Sequence, residues 1–440
     1  MRSIESYPQV QKFLQAVCQQ VKAVELHEEI KEELIVHIAD RAEELFLQGQ
    51  EEGQAVEQAI QAMGSAASIG DKLHHIHRPK LDWGLICLLA LIAGMGIIAI
   101  CAVQAVDNSY MNDGRYVEKK LVFTGLGSIG LAALWFFDYR RLNRFSLVLF
   151  PVTLTVLAAG IAAGRPINGM PYLNFYGKSI DVVTICTFML VISLAGMKLP
   201  KYWTVRETFL RSIYLLGIPT VMYMKGNSLS AGILYLGAAF GFFWLYRRSV
   251  YQFLIIIGAY VIAAVSIGML NQMYSRYFLA RLTSFLSDDK FGAGYMTYQS
   301  LQAIHAAGWW GHGFAASNTH LPYQHSNMVF SYLIYSFGWA GGLIIAAVAV
   351  LFIVKIAELA ISIRDEYGRR LVGLLLIVIG IEFVLPMLMA MGLAPNVEVL
   401  LPFLSYGNTL LLLHFGAVGL ILTVYKRKNM ISSRQVWYRQ

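Results

Sequence analysis

The chain has 440 residues, of which 57% are hydrophobic and only 14% charged, and it carries a formal net charge of +8. Apolar surface in that proportion can be hidden only in lipid, so the composition argues against a soluble enzyme and predicts an all-α, polytopic membrane protein. The positive balance is not a nucleic-acid footprint, because its cations sit in short links between apolar runs.

Charge is unevenly placed along the chain. Residues 1–80 hold eight Lys/Arg against thirteen Asp/Glu, net −5, which leaves +13 for the remainder. An acidic cytoplasmic helical domain over 1–80 is therefore expected ahead of a basic membrane domain over 81–440. In the first of these, apolar residues recur at helical spacing from Val24 to Gln48 (Leu26, Ile30, Leu34, Ile38, Leu45), and Gly49 stops the run. A further helix is predicted from Ala55 to Met63. The pattern EEIKEELIVHIADRAEEL, then AVEQAIQAMGS, resembles the HAAS or permease-prefix domain found ahead of permeases and membrane regulators. That resemblance covers most of 8–76 and implies a module that docks a cytoplasmic partner; a solvated bundle without a partner is the alternative. His74, His75 and His77 form a single tract without a second ligand pair, which reads as a juxtamembrane polar cuff rather than a metal site. The cysteines, Cys18, Cys87, Cys101 and Cys186, show no paired spacing and imply neither a disulfide framework nor zinc.

From Trp83 onward, apolar runs long enough to span recur about ten times, at roughly 20 residues each. They lie near 83–105, 121–139, 146–164, 179–198, 208–224, 229–246, 251–271, 326–358, 371–394 and 403–425. Pro151, Pro219 and Pro386 should kink their spans, and Gly338, Gly341 and Gly342 suit close helix packing. Cations fall on alternate links: Arg140, Arg141 and Arg144; Lys198, Lys201 and Arg206; Arg247 and Arg248; Arg364, Arg369 and Arg370; Lys426, Arg427 and Lys428. Those links, and both termini, are expected on the cytoplasmic side of the membrane. The opposite side receives one long connection at about 272–325, and a connection of that length usually carries function.

That connection and the end of the chain hold the informative motifs. RLTSFLSDDKFGAGYMTYQS runs from Arg281 to Ser300, AAGWWGHGF follows with Gly308, Gly311 and Gly313, LPYQHSN runs from Leu321 to Asn327, and GLAPNVEVLLPFLSYG spans Gly392 to Gly407. In this order they resemble the conserved segments of the SEDS family, the FtsW/RodA/SpoVE membrane proteins of bacterial cell-wall assembly, division and shape. The resemblance implies a peptidoglycan glycosyltransferase scaffold whose substrate is an undecaprenyl-diphosphate-linked disaccharide. Family matches at Arg281, Gly292, Gly294, Tyr295, Gln299, Ser300, His325, Pro402, Ser405, Tyr406 and Gly407 are implied to bind that precursor. It also implies a class-B penicillin-binding protein as partner and, in an active enzyme, a divalent metal such as Mg. Among the histidines of the connection (His305, His312, His320, His325), only His325 falls in a family motif, and no ligand set has a metal-site spacing.

The chemistry requires a base for the acceptor hydroxyl and cations for the departing diphosphate. The family's His-Thr-Asp triplet supplies the acid/base carboxylate. Here the triplet is His325-Ser326-Asn327, and an amide has no useful basicity near neutral pH. Other polar positions depart as well: Leu-Pro-Glu is Leu321-Pro322-Tyr323, a Glu pair is Tyr335-Ser336, and the Gly-Gly-Ser ending is Gly407-Asn408-Thr409. Three readings follow. In the first, the protein binds lipid-linked precursor or a partner, with polymerase catalysis impaired or lost. In the second, it is an active glycosyltransferase using a substitute acid, best Asp289 beside Lys290. The third is a precursor flippase. Glu382, inside a span, is a functional candidate as a costly intramembrane acid, or is explained by a hydrogen bond to a neighbouring helix.

Overall fold

The computed structural model describes residues 4–21, 27–76, 81–106, 115–167, 170–175, 178–197, 205–246, 250–270, 280, 283–286, 291–292 and 294–428. It divides into two compact units, Met1–Leu81 with Tyr425–Gln440, and Asp82–Val424.

The first unit is helical. Helices α1 (Pro8–Gln20), α2 (His27–Leu47), α3 (Glu52–Met63) and α4 (Ala66–Ile76) surround a core of Val10, Leu14, Val17, Ile30, Leu34, Ile38, Ala42, Val56 and Ala59. The predicted α2 stripe supplies Ile30, Leu34 and Ile38, and Leu45 packs on the edge of that core. Gly49 stops the helix as read, with φ +96° and the Gln50 N–H closing back onto Leu45 O. The periodicity did not separate α1 and α4, which add the other walls of the bundle. His77 lies outside the described residues.

The second unit follows the predicted apolar runs. Among the described residues, five helices are long and apolar enough to cross a membrane: α5 (Trp83–Val106), α7 (Arg140–Ala163), α14 (Val329–Ser362), α15 (Glu366–Ala390) and α16 (Asn408–Lys426). Shorter apolar helices, α8 (Val182–Ala195) and α11 (Leu229–Tyr246), join them, and α6 (Tyr116–Leu134) and α12 (Val250–Leu270) occupy two further predicted spans. The predicted span 208–224 is interrupted. Helix α9 (Val205–Ser212) passes through a π-helical turn, Ile213–Gly217, into α10 (Ile218–Lys225), with Pro219 at the start of α10. There the Tyr235 hydroxyl donates to Leu215 O, 2.5 Å, so the irregular turn keeps its carbonyl satisfied. Pro151 and Pro386 lie inside α7 and α15.

Two features were not legible in the sequence. A small antiparallel sheet, β1 (Arg165–Ile167), β2 (Met170–Phe175) and β3 (Lys178–Ile180), precedes α8 in the order β1-β2-β3. Asp181 then caps α8, accepting from Thr184 N at 3.0 Å and from Thr184 Oγ1 at 2.6 Å. The second feature corrects a reading. Gly338 is no helix-packing glycine; at φ +73°, ψ −178° it breaks α14. The break frees backbone groups that the 308–313 loop satisfies. His312 N donates to Tyr335 O (3.0 Å) and Gly313 N to Ser336 O (2.9 Å), while Trp339 N and Ala340 N donate to Gly308 O (3.0 Å) and Trp309 O (3.2 Å). The backbones approach so closely that a Cβ on Gly338 would strike the Trp309 carbonyl, and one on Gly311 the Ser336 carbonyl.

Candidate functional site

The segment 392–407 joins α15 to α16 without regular secondary structure. Gly392 (φ +69°) ends α15, with Leu393 N donating to Leu388 O at 2.8 Å. Two non-glycine residues follow in the left-handed region, Glu398 (φ +60°) and Phe403 (φ +62°), each costing on the order of 1–2 kcal/mol. Buried bonds hold the second. Lys120, near the start of α6 and only 1% exposed, donates from Nζ to Phe403 O (2.6 Å) and to Ser405 O (2.8 Å). Gly96 of α5 lies against the same peptide, so a Cβ there would strike the Phe403 carbonyl. The Phe403 ring is buried edge-on to Phe352 and Phe415.

A second turn meets this one. Tyr323, at φ +49°, offers its carbonyl to both Ser326 N (3.0 Å) and Met328 N (3.2 Å), which wraps His325, Ser326 and Asn327 into a compact lead-in to α14. Gln324 Nε2 ties this turn to the Asn318 and Leu321 carbonyls. Two bonds stitch it to the other segment: Tyr406 N donates to His325 O (2.7 Å) and Ser405 Oγ donates to Ser326 O (3.0 Å). Ser405 Oγ also accepts from Leu401 N at 3.0 Å, so both hydroxyl roles are used internally. The His325 ring stacks on Tyr116 of α6 at 5.3 Å and 17°, and Tyr406 meets Tyr116 edge-on at 4.9 Å. His325, Asn327, Tyr406 and Gly407 are all half-buried, whereas Pro402 is buried within the turn. The sheet comes close as well: burial, with the carboxylates of Asp181 and Glu398 nearby, pushes the Tyr172 hydroxyl up to about 12.

The other motif residues are placed elsewhere. Gly292 accepts from Tyr295 N (3.1 Å), and Gly294 precedes α13 (Tyr295–Ala306) with helical backbone at φ −83°. The left-handed glycines of the connection are Gly308, Gly311 and Gly313. Tyr295 and Gln299 are half-buried on α13. Ser300 is fully buried; its Oγ donates to Ala390 O (2.7 Å) and lies 2.6 Å from Ser331 Oγ, which binds α13 to α15 and α14. Arg281 and Asp289 lie outside the described residues. Glu382, 1% exposed, faces His414 of α16, with Oε2 and Nε2 2.8 Å apart, so of its two readings the interhelical bond is made.

Sequence reasoning missed Tyr116 and Lys120. Only Lys120 left a signal, a cation at the head of an apolar run. The site as built is an aromatic cluster of Tyr116, His325 and Tyr406 set on two turns that are hydrogen-bonded to each other. It can stack on and hydrogen-bond a sugar, and at Asn327 it offers an amide where general-base chemistry needs a carboxylate.

The family model for FtsW/RodA/SpoVE cell cycle proteins matches residues 82–430. The probable peptidoglycan glycosyltransferase FtsW of Thioalkalivibrio sp. (strain K90mix) is 28% identical over 376 residues, covering 81% of this chain and 92% of that protein. Its counterpart in Pseudomonas fluorescens (strain SBW25) is 28% identical over 388 residues, 82% and 92% of the two chains. A solved peptidoglycan synthase complex that coordinates polymerization and crosslinking contains a chain superposing with TM-score 0.64 at 21% identity, over 79% of this chain and 98% of that one. The rod shape determining protein RodA of Thermus thermophilus superposes with TM-score 0.57 at 19% identity, over 79% and 97%. The two structures share the polytopic helical fold, and the match over residues 82–430 makes this chain a member of the FtsW/RodA/SpoVE family.

Proposed function

We propose that the protein works in bacterial peptidoglycan synthesis as a membrane-embedded binder of undecaprenyl-diphosphate-linked disaccharide, with polymerase catalysis impaired or lost. The observation that carries this reading is the stitched pair of turns: the His325–Asn327 triplet is clamped to Ser405 and Tyr406, and its last residue is an amide. Similarity to probable peptidoglycan glycosyltransferases supports the substrate class. Likeness to a chain of a peptidoglycan synthase complex supports a class-B penicillin-binding protein as partner. Residues 1–80 are then a cytoplasmic docking module; the distribution of loop cations supports both termini lying inside the cell. If the protein polymerises, Asp289 supplies the acid and a divalent ion such as Mg meets the diphosphate.

The test uses purified full-length protein with labelled lipid-linked disaccharide. Wild type is expected to bind substrate but release no polymer, and Asn327→Asp is expected to gain turnover. Polymer from wild type that vanishes with Asp289→Ala would overturn the non-catalytic reading, and failure of wild type to bind the disaccharide would remove the substrate assignment.

A further inference from the structure

We infer that Trp309, Trp310 and Phe314 form an interfacial anchor that rests in the lipid headgroup region of the leaflet beside the 308–313 loop. These three aromatics are 67%, 84% and 57% exposed, although they sit on a loop whose backbone is fixed. Four main-chain bonds pin that loop across the break at Gly338, and His312 stacks on Tyr335 at 4.2 Å. A loop held so firmly, carrying two adjacent indoles outward, spends order on presenting them.

The depth of the pinning point identifies what they meet. From Gly338 to the end of α14 at Ser362 is 24 residues, about 36 Å of helix at 1.5 Å per residue. With ordinary tilt this matches a hydrocarbon core of about 30 Å. The exposed Arg364 follows two residues later and marks the opposite water boundary. Gly338 therefore sits at the near boundary, and the part of α14 before it, from Val329, lies beyond the hydrocarbon. Below the break, the outward apolar residues Leu343, Ile344, Leu351, Val354 and Ile361 form one row at helical spacing, continuing from Ala340, whose N–H holds Trp309. The indoles thus cap a face that lipid covers, at the height where Trp is favoured because its ring is apolar and its N–H is wet. A soluble protein partner fits less well, since it would have to leave that continuous apolar row and enter the bilayer edge.

The test compares wild type with Trp309→Phe/Trp310→Phe, both full length and reconstituted in phosphatidylcholine vesicles with or without dibrominated acyl chains. Phenylalanine keeps the apolar bulk, and the difference between the two emission spectra isolates these two of the eight tryptophans. The expected difference spectrum is blue-shifted and loses most of its intensity in brominated vesicles. A difference spectrum at the wavelength of water-exposed indole, or one untouched by bromine because another protein covers the loop, overturns the inference. Should the double variant extract poorly, Trp310→Phe alone gives the same reading at lower amplitude. The inference concerns lipid contact only, so it survives or fails independently of the polymer assay.

Discussion

Replacing Lys120 by methionine tests what holds the 400–407 turn in its left-handed conformation. The methionine fits the same volume but cannot donate, so Phe403 O and Ser405 O lose their Nζ partner in a site with 1% exposure. An unsatisfied buried carbonyl costs about 1–3 kcal/mol, so two cost about 2–6 kcal/mol. The substitution also removes a costly buried amino group, which offsets part of that loss and leaves a net destabilisation of about 1–4 kcal/mol. Because Ser405 and Tyr406 carry the bonds to the His325–Asn327 turn, the loss should reach the candidate site as well as the global fold. Thermal unfolding in detergent should therefore show a transition lower by several degrees, roughly 2–4 °C per kcal/mol for a large domain. Binding of lipid-linked disaccharide, measured well below that transition, should weaken in parallel. A Lys120→Met variant with unchanged unfolding and unchanged binding would refute the assignment of Lys120 as the clamp of the turn.

Three further outcomes are expected. Glu382→Leu leaves His414 Nε2 without its hydrogen-bond partner in the membrane core and should cost about 1–3 kcal/mol, whereas Glu382→Leu/His414→Leu should recover much of it; a double variant as unstable as the sum of the singles, by the same unfolding assay, would show that the two side chains are not a pair. Gly338→Ala must adopt a glycine-only conformation, at about 1–3 kcal/mol, and must also push the Trp309 carbonyl away. Its yield of monodisperse protein on size exclusion should collapse, and an unchanged yield and melting profile would contradict the pinned break. Ile38→Asp places a carboxylate at a position with 0% exposure in the N-terminal core, a loss of several kcal/mol. Limited proteolysis should then cut within residues 1–81 while leaving 82–424 intact, and joint loss of both units would show that they do not fold separately.

Much of this protein is written in one dimension. A membrane-crossing helix must satisfy its own backbone, so about 20 apolar residues announce one wherever they occur, and the runs at 83–105, 146–164, 326–358 and 371–394 became α5, α7, α14 and α15. The α2 stripe and its Gly49 stop were readable for the same local reason. The family motifs were legible because their order along the chain is itself the information, and that order named His325, Asn327, Ser405 and Tyr406 together before any geometry was known.

What tertiary structure decided is how distant segments share their polar groups. No spacing rule brings Ser405 onto Ser326 across 79 residues, or Lys120 onto Phe403 across 283, because those bonds exist only after the helices between them have packed. Gly338 looked like a packing glycine until the 308–313 loop was seen supplying the hydrogen bonds that its break removes. The local code determined which segments enter lipid; the packing decided which irregular backbone is buried, what satisfies it, and therefore which side chains reach the candidate site.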